Sequence, residues 1–152
     1  MSHYFDARPA GAGRPRSIRV TLRGTEMEVL TDRGVFSGDR LDPGTAVLLR
    51  TVDGPPSTGT LVDLGCGGGP IALAMAQASP RARVVAVDVN ERALALTAAN
   101  AERLGLRNVE TWSPEDLLAA EPGLTITEWW SNPPIRVGKA ALHELLRTWL
   151  PR

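Results

Sequence analysis

The sequence is poor in the residues from which several kinds of site are built. A single cysteine, Cys66, stands among 152 residues, which excludes an internal disulfide and a thiolate-clustered zinc centre and suits a reducing compartment, the cytoplasm being expected. The two histidines, His3 and His143, have no second histidine or acid at metal-ligand spacing, so no metal site is expected. Net charge is absent as well. Seventeen basic residues balance seventeen acidic ones, so no global field draws the chain to nucleic acid or to an anionic membrane, and any RNA contact has to be local. No run of about 18 apolar residues is available to span a bilayer, and MSHYFDARPAGAGRPRS lacks the apolar centre of a secretory signal, so a soluble protein is expected.

What is present fits one domain, since a chain of this length buries about 68–70% of its unfolded surface. Residues 1–16 are rich in Pro, Gly, Ala and Arg and read as a flexible lead-in. SIRVTL and EMEVLT, alternating runs separated by Arg-Gly-Thr, predict a hairpin. GVFSGDRLDPGT is turn-rich, and AVLLRTV predicts a short helix starting near Pro43, which suits a first helical turn. Residues 17–59 are thus expected to form a hairpin extension ahead of a core over 60–152. In that core TLVDL, RVVAVDV, NVETW and TITEWW read as strands, the second a continuous apolar run as in a strand covered on both faces. Between and after them IALAMAQAS, ERALALTAANAERL, EDLLAA and KAALHELLRTWL read as helices, with Asn90 as N-cap and Gly105 as stop of the second. Strands alternating with helices predict an α/β fold, a doubly wound, mostly parallel Rossmann-like sheet.

Two short stretches carry the chemistry. Gly65-Cys66-Gly67-Gly68-Gly69-Pro70 links the first core strand to its helix, where glycine lets a ligand approach the backbone and the helix start offers amide donors. Asp88 ends the next strand, about 20 residues on, where an acid can accept from ribose hydroxyls. A dinucleotide site wants Gly or Ala at the position held by Pro70, which disfavours a nicotinamide dehydrogenase. Asp63, before the loop, would repel a pyrophosphate and attract a cation or an amine. The second stretch is SNPPIRVGK, residues 131–139. Proline has no N–H and cannot continue a ladder, so Asn132, Pro133 and Pro134 end the fourth strand while aiming an amide oxygen and a backbone carbonyl at one spot. Two converging acceptors suit a planar amine. Cys66 has no paired base and reads as a small loop residue rather than a nucleophile.

Asp63 to Gly69, Asp-Leu-Gly-Cys-Gly-Gly-Gly, resembles motif I of the class I S-adenosylmethionine methyltransferases. Asn-Pro-Pro-Ile, residues 132–135, resembles motif IV of those acting on planar amines or side-chain amides. With GVFS at 34–37, LDPGT at 41–45 and His-Tyr-Phe at 3–5, the chain is similar to the "methyltransferase small" family of ribosomal RNA guanine-N2 methyltransferases. The resemblance implies S-adenosylmethionine as cofactor, with Asp63, Gly65, Cys66, Gly67 and Gly69 along its methionine part. It also implies Asp88 at the ribose, Val89 at adenine, Asp116 near the adenine amino group with Glu115 an equally acidic neighbour, and Gly44, Thr45 and Phe36 closing the pocket. Asn132 and Pro133 would hold the target amine, Asn132 also bordering the cofactor, with Pro134 fixing the turn and Ile135 packing near the base. Arg136 and Lys139 would contact the substrate or stand as solvated charges at a helix start. The implied substrate is a guanine of small-subunit ribosomal RNA, unpaired or flipped to reach the pocket. Trp129 and Trp130 read as core rather than as a stacking platform, and Trp112 and Trp149 as packing. The family's sheet normally has further strands after the last helix seen here. A fragment of a longer polypeptide, or a fourth-strand apolar edge paired with a second copy, is therefore expected. Two rival functions remain: amine methylation of adenine or protein glutamine, and a non-catalytic interaction module.

Overall fold

The computed structural model describes residues 16–32, 41–132 and 138–152. It opens with an antiparallel hairpin, β1 (Arg16–Leu22) and β2 (Thr25–Thr31), paired in register from Arg16–Thr31 to Leu22–Thr25. Arg23 and Gly24 at its tip have φ of 49° and 82°, the pair of left-handed residues that a tight hairpin turn requires. Alternation works as expected: Val20, Leu22, Met27 and Val29 face inward and are buried, while Arg19, Thr21, Glu26 and Glu28 stay exposed.

After α1 (Pro43–Thr51), the core alternates strand and helix: β3 (Thr60–Leu64), α2 (Pro70–Ala78), β4 (Arg83–Val87), α3 (Glu91–Arg103), β5 (Val109–Trp112), α4 (Pro114–Ala120), β6 (Glu128–Ser131) and α5 (Gly138–Trp149). The four core strands form one parallel sheet in the order β5-β4-β3-β6, as the βα alternation predicts. Its two faces carry separate cores. Leu61, Val84, Ala86 and Trp130 pack with the hairpin, α1, α2 and Ala101 of α3 on one side. Val62, Leu64, Val85 and Val87 pack with Leu117, Leu145 and Trp149 from α4 and α5 on the other.

Local chemistry sets the helix limits. Asn90 caps α3 by accepting from the N–H groups of Arg92 (3.0 Å) and Ala93 (3.3 Å). Gly105, φ 69°, ends it, with Leu106 N donating to Ala101 O at 2.9 Å, the left-handed stop that glycine allows without a Cβ penalty. At the start of β4, Arg83 pairs with Glu110 of β5 and with Glu121 after α4. Among the described residues no helix is long and apolar enough to cross a membrane.

The expected fourth strand is revised. β6 spans only Glu128–Ser131 rather than TITEWW: the Thr127 N–H still donates to Thr60 O of β3 (2.8 Å), but the Ile126 N–H goes to Arg152 O (3.0 Å). Within the described sheet β6 therefore ends the strand order as a short edge, not a long apolar one. The two tryptophans divide between the faces, Trp130 buried against the hairpin side and Trp129 half-buried against Trp149 and its neighbours.

The hairpin is bolted to the core through α3. Asn100, fully buried, accepts from Leu30 N and donates to Leu30 O (3.0 Å), so its amide pairs with β2 as a neighbouring strand would. The same Nδ2 donates to Gly68 O at 3.2 Å in the glycine loop. An Arg92–Asp32 ion pair (2.7 Å) and a more exposed Arg103–Glu28 pair (3.4 Å) flank it. Replacing Asn100 with Ala takes their partner from the part-buried N–H and C=O of Leu30 and from the buried Gly68 O, and a buried loss of this kind costs about 1–3 kcal/mol. Urea unfolding of Asn100→Ala is expected to show a loss of at least about 2 kcal/mol, and an unchanged midpoint would contradict this accounting.

Candidate active site

Register brings the singled-out residues to one end of the sheet. Leu64 of β3 pairs with Val87 of β4 and with Ser131 of β6. Asp88, Gly65 and Asn132, each one position further on, therefore leave three adjacent parallel strands side by side. The Ser131 hydroxyl donates to Leu64 O at 2.8 Å and ties the last two strand ends together. Carboxyl ends of parallel strands are where open α/β sheets bind their ligands.

Within the glycine loop, Gly65, Gly67 and Gly69 have φ of 72°, 56° and 91°. The N–H groups of Gly65 and Cys66 both donate to Val87 O, at 2.8 and 3.0 Å, locking the loop onto β4. Gly69 is required twice over, because a Cβ there would also sit 2.7 Å from the Thr97 side chain. Thr97 donates to Gly67 O at 2.9 Å, so α3 grips two successive loop carbonyls, one with Thr97 and one with Asn100. The Cys66 thiol points inward, buried and 3.6 Å from Thr97 Oγ1. Burial, helped by Asp63 and Asp88, pushes its pKa well up. It is a packing group with no thiolate to offer.

Asp88 is buried and organises the loop: Oδ2 accepts from Gly67 N and Oδ1 from Asn90 N, both at 2.9 Å. Burial raises its pKa, while the N–H groups of Asn90, Gly67 and Val89 hold it down in part. Two carboxylate oxygens offer about four acceptor sites, so capacity for further donors remains. Val89, half-buried, follows it.

Asp63 is the most unusual group. It is completely buried; Oδ2 accepts from Ala72 N at 3.0 Å, and Oδ1 has no partner among the described residues. Ala72 lies in the first turn of α2, whose N-cap Gly69 has no side chain to offer, so Asp63 caps that helix from the neighbouring strand. Pro70 at its start brings no N–H needing a partner. Burial raises the carboxyl from its ordinary 3.8 to about 8, the Ala72 N–H opposing and the nearby Asp88 reinforcing the shift. A buried acid with one oxygen unpartnered, beside a loop of left-handed glycines, fits a cofactor that brings an ammonium or another cation.

Asn132 is held from the far side by the start of α1. Its Nδ2 donates to Asp42 Oδ2 (2.8 Å) and to Thr45 Oγ1 (3.0 Å). Gly44 lies against the same amide. The sequence reading placed Gly44 and Thr45 at the cofactor pocket but missed Asp42; Asp before Pro-Gly-Thr is a legible N-cap, and the cap bond is present (Thr45 N to Asp42 Oδ2, 3.2 Å). Its second partner, 90 positions away, left no local signal. Asp116 and Lys139 are exposed, in the first turns of α4 and α5. Phe36, Pro133, Pro134, Ile135 and Arg136 lie outside the described residues. Among the described residues no group of His, Cys, Asp and Glu could hold a metal ion.

A parallel sheet whose first core strand runs into a glycine loop, with an acid ending the second strand and an asparagine ending the fourth, defines a Rossmann-like domain of the methyltransferase class. The chain belongs to the methyltransferase small domain family, whose model matches residues 26–150. Among its relatives, the uncharacterized protein YbxB of Bacillus subtilis is 32% identical over 143 residues, covering 94% of this chain and 71% of YbxB. Ribosomal RNA small subunit methyltransferase C of Pseudomonas putida is 35% identical over 121 residues, 80% of this chain, and that of Aeromonas hydrophila is 34% identical over 128 residues, 84% of this chain. The chain spans only 35% and 36% of the length of these two enzymes. Among solved structures, wild-type Trm5b from Pyrococcus abyssi aligns over 91% of this chain and 45% of its own, with a TM-score of 0.50 at 17% identity, a likeness of fold.

The acid inside the loop makes stability pH-dependent. Asp63 in the folded chain keeps its proton up to about pH 8, whereas unfolded it releases it near 3.8. The native state therefore binds more protons over that window, and stability is greatest below it and falls as pH rises through it. Asp88, also raised, adds a slope of the same sign. Urea midpoints measured across this range are expected to fall with pH, and Asp63→Asn is expected to flatten most of the fall; an equally steep variant would mean that Asp63 is ionised in the folded chain.

Proposed function

We propose that this chain catalyses methyl transfer from S-adenosylmethionine to the exocyclic N2 amine of a guanine in small-subunit ribosomal RNA. Membership of the methyltransferase small domain family supports the reaction class, and the names of the small subunit methyltransferase C relatives support the RNA. The observation that carries the amine as target is Asn132, whose amide nitrogen is occupied by Asp42 and Thr45, leaving its oxygen as the acceptor at the strand end.

S-adenosylmethionine, when bound, supplies an electrophilic methyl group on a sulfonium. Gly65, Gly67 and Gly69 let it approach the loop backbone, Asp63 balances its ammonium, and Asp88, Val89 and Asp116 serve its ribose and adenine. Bringing a cation to Asp63 favours the carboxylate, so binding and proton release at that residue are linked. Asn132 Oδ1 and the Pro133 carbonyl accept the two amine N–H groups. That aims the nitrogen lone pair and supports the positive charge it develops, so positioning and electrostatics carry the rate. Pro134 fixes the turn. The family resemblance assigns Phe36, Ile135, Arg136 and Lys139 to the flipped base and its backbone, a local contact consistent with zero net charge.

The test is transfer of labelled methyl groups to unmodified small-subunit RNA, with the modified nucleoside identified by mass. N2-methylguanosine is the expected product. Asn132→Ala is expected to lower kcat about 100–1000-fold while S-adenosylhomocysteine binds within twofold of the parent. Label on adenine or on protein would replace guanine as the target. A parent chain that binds S-adenosylhomocysteine but methylates nothing would assign it to binding alone.

A further inference from the structure

The start of α1 is built around the Asn132 amide. Asp42 caps α1 through Oδ2, which accepts from Thr45 N at 3.2 Å, and the same oxygen accepts from Asn132 Nδ2 at 2.8 Å. Thr45, buried, accepts the second Nδ2 proton on its hydroxyl at 3.0 Å. Gly44 closes the seat: a Cβ there would lie 3.0 Å from Oδ1 and 3.1 Å from Nδ2 of Asn132, and 3.1 Å from Asp42 Oδ2. The primary amide has two N–H donors, and both are taken. Among the described residues no donor reaches Oδ1.

The orientation of an asparagine amide is decided by its partners. An ionised carboxylate only accepts, so Asp42 attracts the nitrogen end and repels the oxygen end. Turned the other way, Asn132 would set Oδ1 against the Asp42 carboxylate and present N–H groups to a substrate that itself brings N–H groups. We propose that Asp42 and Thr45 are positioning residues that lock the Asn132 amide with its oxygen toward the amine substrate, making the start of α1 part of the amine-recognition site. This rests on the amine methyltransferase reading given above. Thr45 thereby acts on the fourth-strand asparagine.

Two variants separate this role from helix capping. Thr45→Val keeps the backbone N–H and the shape of the side chain but removes the second acceptor, with Thr45→Ser as the conservative control. Asp42→Ser keeps a good N-cap but is too short to reach Asn132 in the same geometry. Thr45→Val and Asp42→Ser are expected to lower kcat about tenfold or more, with S-adenosylhomocysteine affinity within twofold of the parent and Thr45→Ser near parental. The side-chain amide protons of Asn132, identified as the NMR pair missing from Asn132→Ala, are expected to exchange slowly in the parent and faster in both variants. Parental kcat in Thr45→Val, or amide protons that exchange as fast in the parent as in the variants, would overturn the inference. A parent with no methyl transfer to any amine would sink the functional reading instead, and the exchange rates alone would then decide whether the amide is locked.

Discussion

Two carboxyl groups buried at adjacent strand ends are the constraint around which this domain is arranged. Asp63 and Asp88 are both out of water, burial raises the pKa of each and Asp88 adds to the shift of Asp63, and neither has a cationic partner in the hydrogen bonds it makes. Such groups persist only where fixed dipoles meet them. Here the dipoles are backbone N–H groups: Ala72 in the first turn of α2 for Asp63, and Gly67 with Asn90 for Asp88. The glycine loop follows from this need. Its left-handed residues turn the chain so that Gly67 can donate to Asp88 while Gly65 and Cys66 donate to Val87 O. One oxygen of Asp63 is left over without a partner among the described residues, and the proposed cofactor contact rests on it.

The loop is held from outside as well. Left-handed turns aim carbonyls away from any ladder, and α3 answers them with Thr97 at Gly67 O and Asn100 at Gly68 O. Because Asn100 also pairs with Leu30, the hairpin and the loop share one side chain. On the far side Asn132 is seated by α1. The site is thus assembled from four places in the sequence: the loop, the end of β4, the end of β6 and the residues just before α1.

Much of this was legible in the residues themselves. TLVDL is β3 to the residue, because an apolar run bounded by glycine leaves no choice of limits. α3 runs from its Asn90 cap to Leu104 and Gly105 as read, because capping is a local matter. Asp88 and Asn132 were singled out by their positions after strands, and register sets them beside Gly65, with Asp63 two positions back on β3. The misses are non-local. Thr125 and Ile126 have the composition of a strand but lie outside β6, the Ile126 N–H being taken by Arg152. Thr97 and Asn100 looked like ordinary polar residues within a helix pattern, and only the loop packed against them gives them a purpose. Asp42 was missed even as the cap of α1, and no rule of spacing joins it to an asparagine on a distant strand.

The hairpin tip has one more consequence. Arg23 donates from Nη1 to Leu49 O (3.1 Å) and Val52 O (3.0 Å) at the end of α1, and its guanidinium lies 6.0 Å from the Trp130 ring of β6. One residue at the tip therefore touches both the helix that seats Asn132 and the strand that carries it, while the hairpin's other strand is fastened to α3 and the loop. The extension is a brace, not an appendage. A minimal domain cut before β3 would lose tension on both sides of the site, and a hairpin exchanged between relatives would have to travel with the faces of α1, α3 and β6 that receive it.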